Sequence, residues 1–128
     1  MSRCFLLLVI AALLFTACTS SPATNREISM DEAISMMETE SNYIILDVRT
    51  LEEFDAGHIP GAICIPNETI TTHKPDSLPD TNQLILVYCR SGNRSKQASE
   101  KLAALGYTNI VEFGGINDWP GEVVTGDE

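Results

Sequence analysis

The feature that most constrains this chain is an apolar run that ends in a cysteine and is followed by a helical segment. Residues 84–88 predict a buried strand, and residues 95–105 predict a helix that Gly106 ends. Cys89 therefore stands where a strand ends, a short loop turns and a helix begins. Backbone N–H groups and the positive end of the helix point toward the sulfur in such a geometry, and they stabilise a thiolate.

The loop that follows this strand is rich in positive charge. A nucleophilic Cys89 that meets an anionic substrate is the chemistry favoured by this combination. Gly92 permits a tight turn or a close backbone approach, and Ser95 is placed to cap the helix, with its hydroxyl near the sulfur. The candidate substrate-binding residues are Arg90, Ser91, Gly92, Asn93 and Arg94.

Strands alternate with helices along the rest of the chain. Capping-box sequences that begin at Ser29 and at Thr50 predict two further helix starts. The predicted strands are residues 43–48, 62–65, 84–88 and 109–113. This alternation predicts an α/β fold with a central parallel sheet and helices on both faces. Ligands of such sheets bind beyond the carboxyl ends of the strands, where Cys89 stands.

The start of the chain has the pattern of a secretory signal peptide over residues 1–17. Its apolar run of about 14 residues is shorter than the roughly 20 that a membrane-spanning helix needs. Small residues precede Cys18, which resembles a bacterial lipoprotein signal in which Cys18 carries the lipid. A plain secretory signal cut near Ala17 or Ala23, or an uncleaved anchor, is the alternative.

The remaining chain divides into three parts. Residues 18–27 are the lipidated cysteine and a flexible tether, residues 28–121 the folded domain, and residues 122–128 an acidic tail that frays. Thr19 rather than an aspartate follows Cys18, and by resemblance to Gram-negative sorting rules this favours the outer membrane, facing the periplasm. A soluble periplasmic or secreted protein is the alternative. The lipid is the expected contact with the membrane.

Composition restricts the partners. Loss of residues 1–17 removes one of the eight basic side chains and none of the 18 acidic ones, so the formal net charge moves from −10 to −11. This excess argues against nucleic acid or an anionic membrane surface as a partner.

The sequence indicates no cofactor and no metal, because His58 and His73 stand apart and no C-x-x-C occurs. Cys64 is predicted to be a small buried hydrophobe rather than a disulfide partner of Cys89.

Several short motifs, taken together and in order, resemble a rhodanese-like domain and cover nearly all of residues 28–120. They are Asp47-Val48-Arg49, Glu53-Phe54, Gly57-His58-Ile59-Pro60-Gly61-Ala62, Ile65-Pro66, Cys89-Arg90-Ser91-Gly92-Asn93-Arg94-Ser95, and Gly114-Gly115-Ile116 with Trp119. The resemblance implies a single-domain sulfurtransferase fold, with a central parallel sheet flanked by helices.

The length of the loop separates two chemistries within this resemblance. Rhodanese-like sulfurtransferases carry a six-residue loop that opens with the cysteine, whereas related phosphatases and arsenate reductases carry seven residues. Four residues separate Cys89 from Arg94 here, and the shorter loop favours sulfur transfer. The implied mechanism is attack by Cys89 on thiosulfate or a similar small anionic donor, formation of a persulfide, and transfer to cyanide, a small thiol or a protein thiol.

A second reading of the same site stays open. The domain is then a persulfide carrier or a protein-interaction module that exchanges sulfur with a partner and has weak activity on thiosulfate. A phosphatase or arsenate reductase is disfavoured by the loop. Because an exported thiolate is exposed to oxidation, a thiol reductant or acceptor such as a thioredoxin-like protein is an expected partner. The protein is expected to be a monomer.

The roles of the other motif residues are mainly structural. Asp47 is expected near the rim of the site as a supporting residue, with Arg49 paired inside the fold. Glu53 is interpreted as the capping-box partner of Thr50, and His58 as a turn and packing residue. Arg90 and Arg94 are each expected either to bind the anionic donor or to pair with an acid of the fold.

Overall fold

The computed structural model describes residues 25–126. The predicted signal peptide, the lipidation of Cys18 and residues 18–24 of the tether lie outside this part of the chain. Within the described part, no helix has the length and apolar character needed to cross a membrane. The strands and helices, in chain order, are β1 Asn25–Glu27, α1 Met30–Thr39, β2 Tyr43–Asp47, α2 Leu51–Ala56, β3 Ile63–Cys64, β4 Leu84–Cys89, α3 Asn93–Ala104 and β5 Ile110–Gly115.

The five strands form one sheet in which every pairing is parallel, in the order β1-β5-β4-β2-β3. The predicted α/β architecture is therefore confirmed. β4 lies in the middle, where Ile85 pairs with Ile110 of β5 on one side and with Ile44 of β2 on the other. The carboxyl end of β4, which carries Cys89, thus opens at the centre of one edge of the sheet.

Helices cover both faces of this sheet. Alternate residues of β4 point to opposite faces, so they pack in two separate cores. Val87 and Cys89 belong to a core shared with Leu102 of α3. Leu86 packs in a second core that includes Ala33 of α1. Each fully buried large apolar side chain contributes about 1.5–3 kcal/mol to stability, so the two layers hold β4 firmly from both sides.

The amino-terminal edge of the domain differs from the prediction. Residues 25–27, expected to belong to the flexible tether, form β1, with Asn25 opposite Ile110 and Glu27 opposite Glu112. This short polar segment lacks the apolar alternation that predicts a strand. It becomes one because the exposed edge of β5 supplies hydrogen-bonding partners.

The carboxyl-terminal segment is also more ordered than predicted. The N–H of His58 donates to the carbonyl oxygen of Val124 at 2.8 Å, and the N–H of Val124 donates back at 2.9 Å. The N–H of Gly126 donates to the carbonyl oxygen of Asp55 at 3.0 Å. The segment up to residue 126 is therefore bound by backbone hydrogen bonds to the end of α2 and to the loop after it, instead of fraying.

Candidate active site

Cys89 ends β4 beneath the loop that leads into α3. Its side chain is 1% exposed, and its sulfur accepts a hydrogen bond from the backbone N–H of Gly92 at 3.0 Å. Gly92 has a φ of 112°, in the left-handed region, and is the N-cap residue of α3. The glycine thus makes the turn that aims a backbone donor at the sulfur, as the sequence predicted.

The surroundings of Cys89 favour the thiolate. Burial alone raises the pKa of the Cys89 thiol, but the hydrogen bond between its sulfur and the Ser95 side chain, together with those from the backbone N–H groups of Ser95, Gly92 and Ser91, outweighs it. The net result is a pKa below the ordinary value for cysteine. Hydrogen bonds to the charged form have this effect on any ionisable group.

Cys64 provides the contrast within the same fold. It is half-buried on β3, and burial, together with the charge of Asp47, raises the pKa of its thiol to about 12. Cys64 and Cys89 are both free thiols, and Cys64 is half-buried rather than fully buried as predicted. The two cysteines should therefore differ sharply in reactivity.

We expect iodoacetamide at about pH 7 to alkylate Cys89 and to leave Cys64 almost untouched, because only the thiolate reacts. A lowered pKa leaves a larger thiolate fraction at that pH, and a raised pKa leaves almost none. Peptide mass spectrometry after brief labelling measures both sites. Cys64→Ser is the matched control and should label as the wild type does. Equal labelling of the two cysteines would contradict the assignment of Cys89 as the reactive thiolate and Cys64 as the protonated thiol.

Ser95 does not cap the helix as predicted. α3 begins at Asn93, so Ser95 lies inside the first turn, where it is completely buried. Its hydroxyl donates to Glu112 Oε1 at 2.5 Å, and its oxygen lies 3.5 Å from the sulfur of Cys89. The predicted closeness of hydroxyl and sulfur is confirmed. The left-handed Gly92 starts the helix three residues before Ser95, which frees the serine for the site.

Glu112 is the residue of this site that the sequence did not single out. It lies on β5, is 3% exposed, and accepts the N–H of Gly114 at 2.8 Å as well as the Ser95 hydroxyl. The available signal was a single acid inside the otherwise apolar stretch 110–113. Charged side chains are seldom fully buried without a specific contact.

Arg94 ties the loop to α2. Its two terminal nitrogens donate to the two carboxylate oxygens of Glu53 at 2.7 and 3.1 Å. The hydrogen bond to Glu53 raises the pKa of Arg94, and the same contact lowers the pKa of Glu53 to about 2. Glu53 also closes the predicted capping box with Thr50. Of the two roles predicted for Arg94, the geometry therefore supplies the structural one.

Arg90, Ser91 and Asn93 form the exposed rim of the loop. Within residues 25–126, Arg90 forms no ion pair, so its charge faces solvent at the mouth of the site. The backbone of Arg90 passes close to Gly115: a Cβ added at Gly115 would lie 2.0 Å from the Arg90 carbonyl oxygen. A glycine is therefore required at position 115, because any side chain there would clash with the loop.

Asp47 lies completely buried at the end of β2, beside Tyr88 of β4. Its carboxylate binds Arg49, with a shortest contact of 2.7 Å. Burial lowers the pKa of Arg49, but the contact with Asp47 outweighs this effect and raises it. Arg49 also donates to the carbonyl oxygen of Gly57 at 2.7 Å. The predicted pairing of Arg49 inside the fold is confirmed, and Asp47 is completely buried rather than exposed at the rim of the site.

His58 is a packing residue, as predicted. Its ring is 1% exposed and stacks on Phe54 with a centroid distance of 3.7 Å. Its Nδ1 lies 2.9 Å from the carbonyl oxygen of Phe54.

Comparison with known proteins agrees with this architecture. The family described as "Rhodanese-like domain" matches residues 29–122. The thiosulfate sulfurtransferase PspE of Escherichia coli is 38% identical over 73 residues, which span 57% of this chain and 70% of PspE. The putative sulfur carrier protein YrkF of Bacillus subtilis is 31% identical over 97 residues, 75% of this chain and 51% of YrkF. The chain thus spans about half of the latter relative.

A solved structure supports the same assignment. The structure described as a rhodanese with anions from E. coli superposes with a TM-score of 0.60 at 36% sequence identity, covering 66% of this chain and 99% of that one. The family match spans residues 29–122, which include Cys89 and its loop. We conclude that the chain belongs to the rhodanese-like domain family.

Proposed function

We propose that this protein is a sulfurtransferase that moves a sulfane sulfur from thiosulfate, or a similar small anionic donor, to a thiophilic acceptor through a persulfide on Cys89. The observation that carries the proposal is the environment of the Cys89 sulfur. The sulfur is buried at a strand end, where it accepts the Gly92 N–H, and its hydrogen bonds lower the pKa of the thiol. The six-residue loop around it suits one added sulfur atom better than a tetrahedral phosphate.

In the first half of the reaction, the Cys89 thiolate attacks the outer sulfur of the donor. A new S–S bond forms, the S–S bond of thiosulfate breaks, and sulfite leaves with the electron pair. The terminal persulfide sulfur carries the negative charge. Backbone N–H groups of the loop, among them the Gly92 N–H that already donates to the sulfur, stabilise that charge.

In the second half, an acceptor attacks the terminal sulfur and the thiolate leaves. The exposed Arg90 is the group we assign to attracting the anionic donor, since Arg94 is engaged by Glu53. Ser91 and Asn93, also exposed on the loop, complete the rim that meets donor and acceptor. Similarity to a thiosulfate sulfurtransferase and to a rhodanese solved with anions supports an anionic donor.

A persulfide carrier is the second candidate, favoured by the similarity to a putative sulfur carrier protein. It uses the same Cys89 chemistry but delivers the sulfur to a protein thiol. We further propose that the mature protein is exported and held by a lipid on Cys18, and that a thioredoxin-like protein serves as its reductant or acceptor. We propose that it acts as a monomer.

The test is an intact mass after incubation with thiosulfate, followed by a cyanide-dependent rate of thiocyanate formation. We expect a gain of one sulfur atom, its removal by cyanide, and continuous turnover. A stable persulfide without appreciable turnover would favour the carrier. A folded protein that neither gains sulfur nor forms thiocyanate would rule out thiosulfate as its donor.

A further inference from the structure

Glu53 withdraws one of the two arginines of the loop from an incoming anionic donor. Both terminal nitrogens of Arg94 donate to the two carboxylate oxygens of Glu53, at 2.7 and 3.1 Å, and this bidentate geometry is a strong and directional form of ion pair. The two side chains are 32% and 30% exposed. The pair therefore meets solvent as a group of zero net charge.

This ion pair lies close enough to the reactive sulfur to affect a donor. Arg94 is the second residue of α3, the helix whose N-cap residue, Gly92, donates its N–H to the sulfur of Cys89. The pKa of Arg94 is raised above all by its hydrogen bond to Glu53, and the charge of Cys89 raises it further. A free charge on Arg94 would thus act on Cys89 and its donor, and the carboxylate of Glu53 cancels that charge.

The other cations of this region are also paired, with one exception. Arg49 binds the buried Asp47, and Lys96 of α3 lies 3.5 Å from Glu27. Arg90 is exposed and forms no ion pair within residues 25–126. The loop therefore offers a donor the charge of one arginine, although it contains two.

The number of unpaired positive charges decides which donors suit the site. A thiolate that attacks an anion brings like charges together, and the repulsion doubles when the donor is doubly charged. Arg90 can offset the charge of the thiolate, which leaves no second cation for the donor. Thiosulfate is doubly charged, whereas organic thiosulfonates and organic persulfides are singly charged. The site is better matched to the singly charged donors.

We propose that Glu53 is a positioning residue that sets the charge preference of the site, and that the donors used best are singly charged organic thiosulfonates and persulfides rather than thiosulfate. This inference rests on the proposed sulfur transfer through Cys89. With a thiosulfonate, the thiolate attacks the outer sulfur and a new S–S bond forms on Cys89. The S–S bond of the donor breaks, and a sulfinate leaves with the electron pair. With an organic persulfide, the leaving group is a thiolate.

The first measurement uses two anions that bind but transfer no sulfur. Sulfate is doubly charged and methanesulfonate is singly charged. Each is tested for protection of Cys89 against iodoacetamide at about pH 7 and at constant ionic strength, where Cys89 is reactive as a thiolate. The concentration that halves the alkylation rate, followed by peptide mass spectrometry, gives the affinity of each anion.

Glu53→Gln is the variant that releases the charge of Arg94. A glutamine can still complete the capping box with Thr50, so α2 keeps its start. At about 6 Å in water, one protein charge changes the affinity for an anion about threefold for each unit of anion charge. By the same rule we expect about a tenfold gain for sulfate and about a threefold gain for methanesulfonate. Equal gains, or no protection by either anion in wild type and variant, would overturn the proposal.

Three further variants make the result specific to the ion pair. Glu52→Gln removes the same charge from an exposed neighbour that holds no loop cation within residues 25–126, and it should keep the wild-type ratio of the two affinities. Glu53→Gln combined with Arg94→Gln removes both charges and should restore that ratio. Arg94→Gln alone leaves Glu53 unpaired and should shift the ratio against sulfate, which keeps the test decisive if Glu53→Gln fails to fold.

The second measurement is the rate at which Cys89 gains one sulfur atom, read as intact mass, from methanethiosulfonate and from thiosulfate. We expect the wild type to have the larger second-order rate constant with methanethiosulfonate. Glu53→Gln should move the ratio of the two constants about threefold toward thiosulfate. A wild-type preference for thiosulfate, or a ratio that Glu53→Gln leaves unchanged, would contradict the charge preference.

The two measurements separate this inference from the proposed function, because protection by sulfate and methanesulfonate needs no sulfur transfer. The expected protection ratios in a protein that gains sulfur from neither donor would support the role of Glu53 and remove the proposed function. Sulfur gain from both donors, with ratios unaffected by Glu53→Gln, would keep the proposed function and remove the role of Glu53.

Discussion

Replacement of Cys89 by serine is expected to abolish thiocyanate formation from thiosulfate and cyanide. A hydroxyl remains protonated at neutral pH, and it cannot carry a sulfane sulfur as a persulfide does. Loss of an enzyme's covalent nucleophile lowers the rate by several orders of magnitude, and we expect at least about 10⁴-fold here. A coupled assay of thiocyanate against time, at fixed protein concentration, measures the effect.

The matched control is Cys64→Ser, which changes the same chemical group on β3, at the edge of the same sheet. With a thiol pKa of about 12, Cys64 contributes almost no thiolate, so this variant should keep the wild-type rate. The Cys89→Ser protein must also show a wild-type melting temperature, since the change from sulfur to oxygen leaves the cores of the domain in place. Turnover by folded Cys89→Ser would disprove the persulfide mechanism.

Replacement of Asp47 by alanine is expected to lower the free energy of unfolding by about 3–5 kcal/mol, the usual cost of removing one partner from a buried ion pair. Asp47 is completely buried and accepts four hydrogen bonds from Arg49, one from the backbone and three from the guanidinium. Alanine would leave the Arg49 charge buried without its partner. Urea unfolding, followed by circular dichroism, measures the change.

Asp76→Ala is the control for this second prediction, because Asp76 is exposed in the loop before β4. Surface substitutions of this kind change stability by less than about 0.5 kcal/mol. If the two variants unfold at the same urea concentration, the Asp47–Arg49 pair does not stabilise the strand ends. A stable Asp47→Ala protein with reduced turnover would instead give Asp47 a direct part in the chemistry.

The strand, loop and helix around Cys89 could be predicted because their signals are local. An apolar run, a glycine at the turn and a helical pattern each appear within a few residues, and the structure has β4, Gly92 and α3 there. The capping box of Thr50 and Glu53 is local in the same sense. Such features depend on neighbours along the chain, which a sequence displays directly.

Features that depend on residues far apart in the chain were missed. β1 exists because β5 offers it an edge, and the segment at Val124 is ordered because His58 pairs with it. The place of Glu112 in the site depends on the meeting of β5 with the first turn of α3. The helix-capping role expected for Ser95 was wrong because a left-handed glycine began the helix earlier.

The pairing of β1 with β5 also determines when the domain can finish folding. Asn25 lies opposite Ile110, so these partners are 85 positions apart along the chain. Closing so long a loop costs conformational entropy before the strand pairing contributes any stability. Parallel pairings of this kind are therefore slow to form. During synthesis, β1 leaves the ribosome long before its partner strand and must wait for it. The sheet therefore closes only after β5, Ile110–Gly115, has been made.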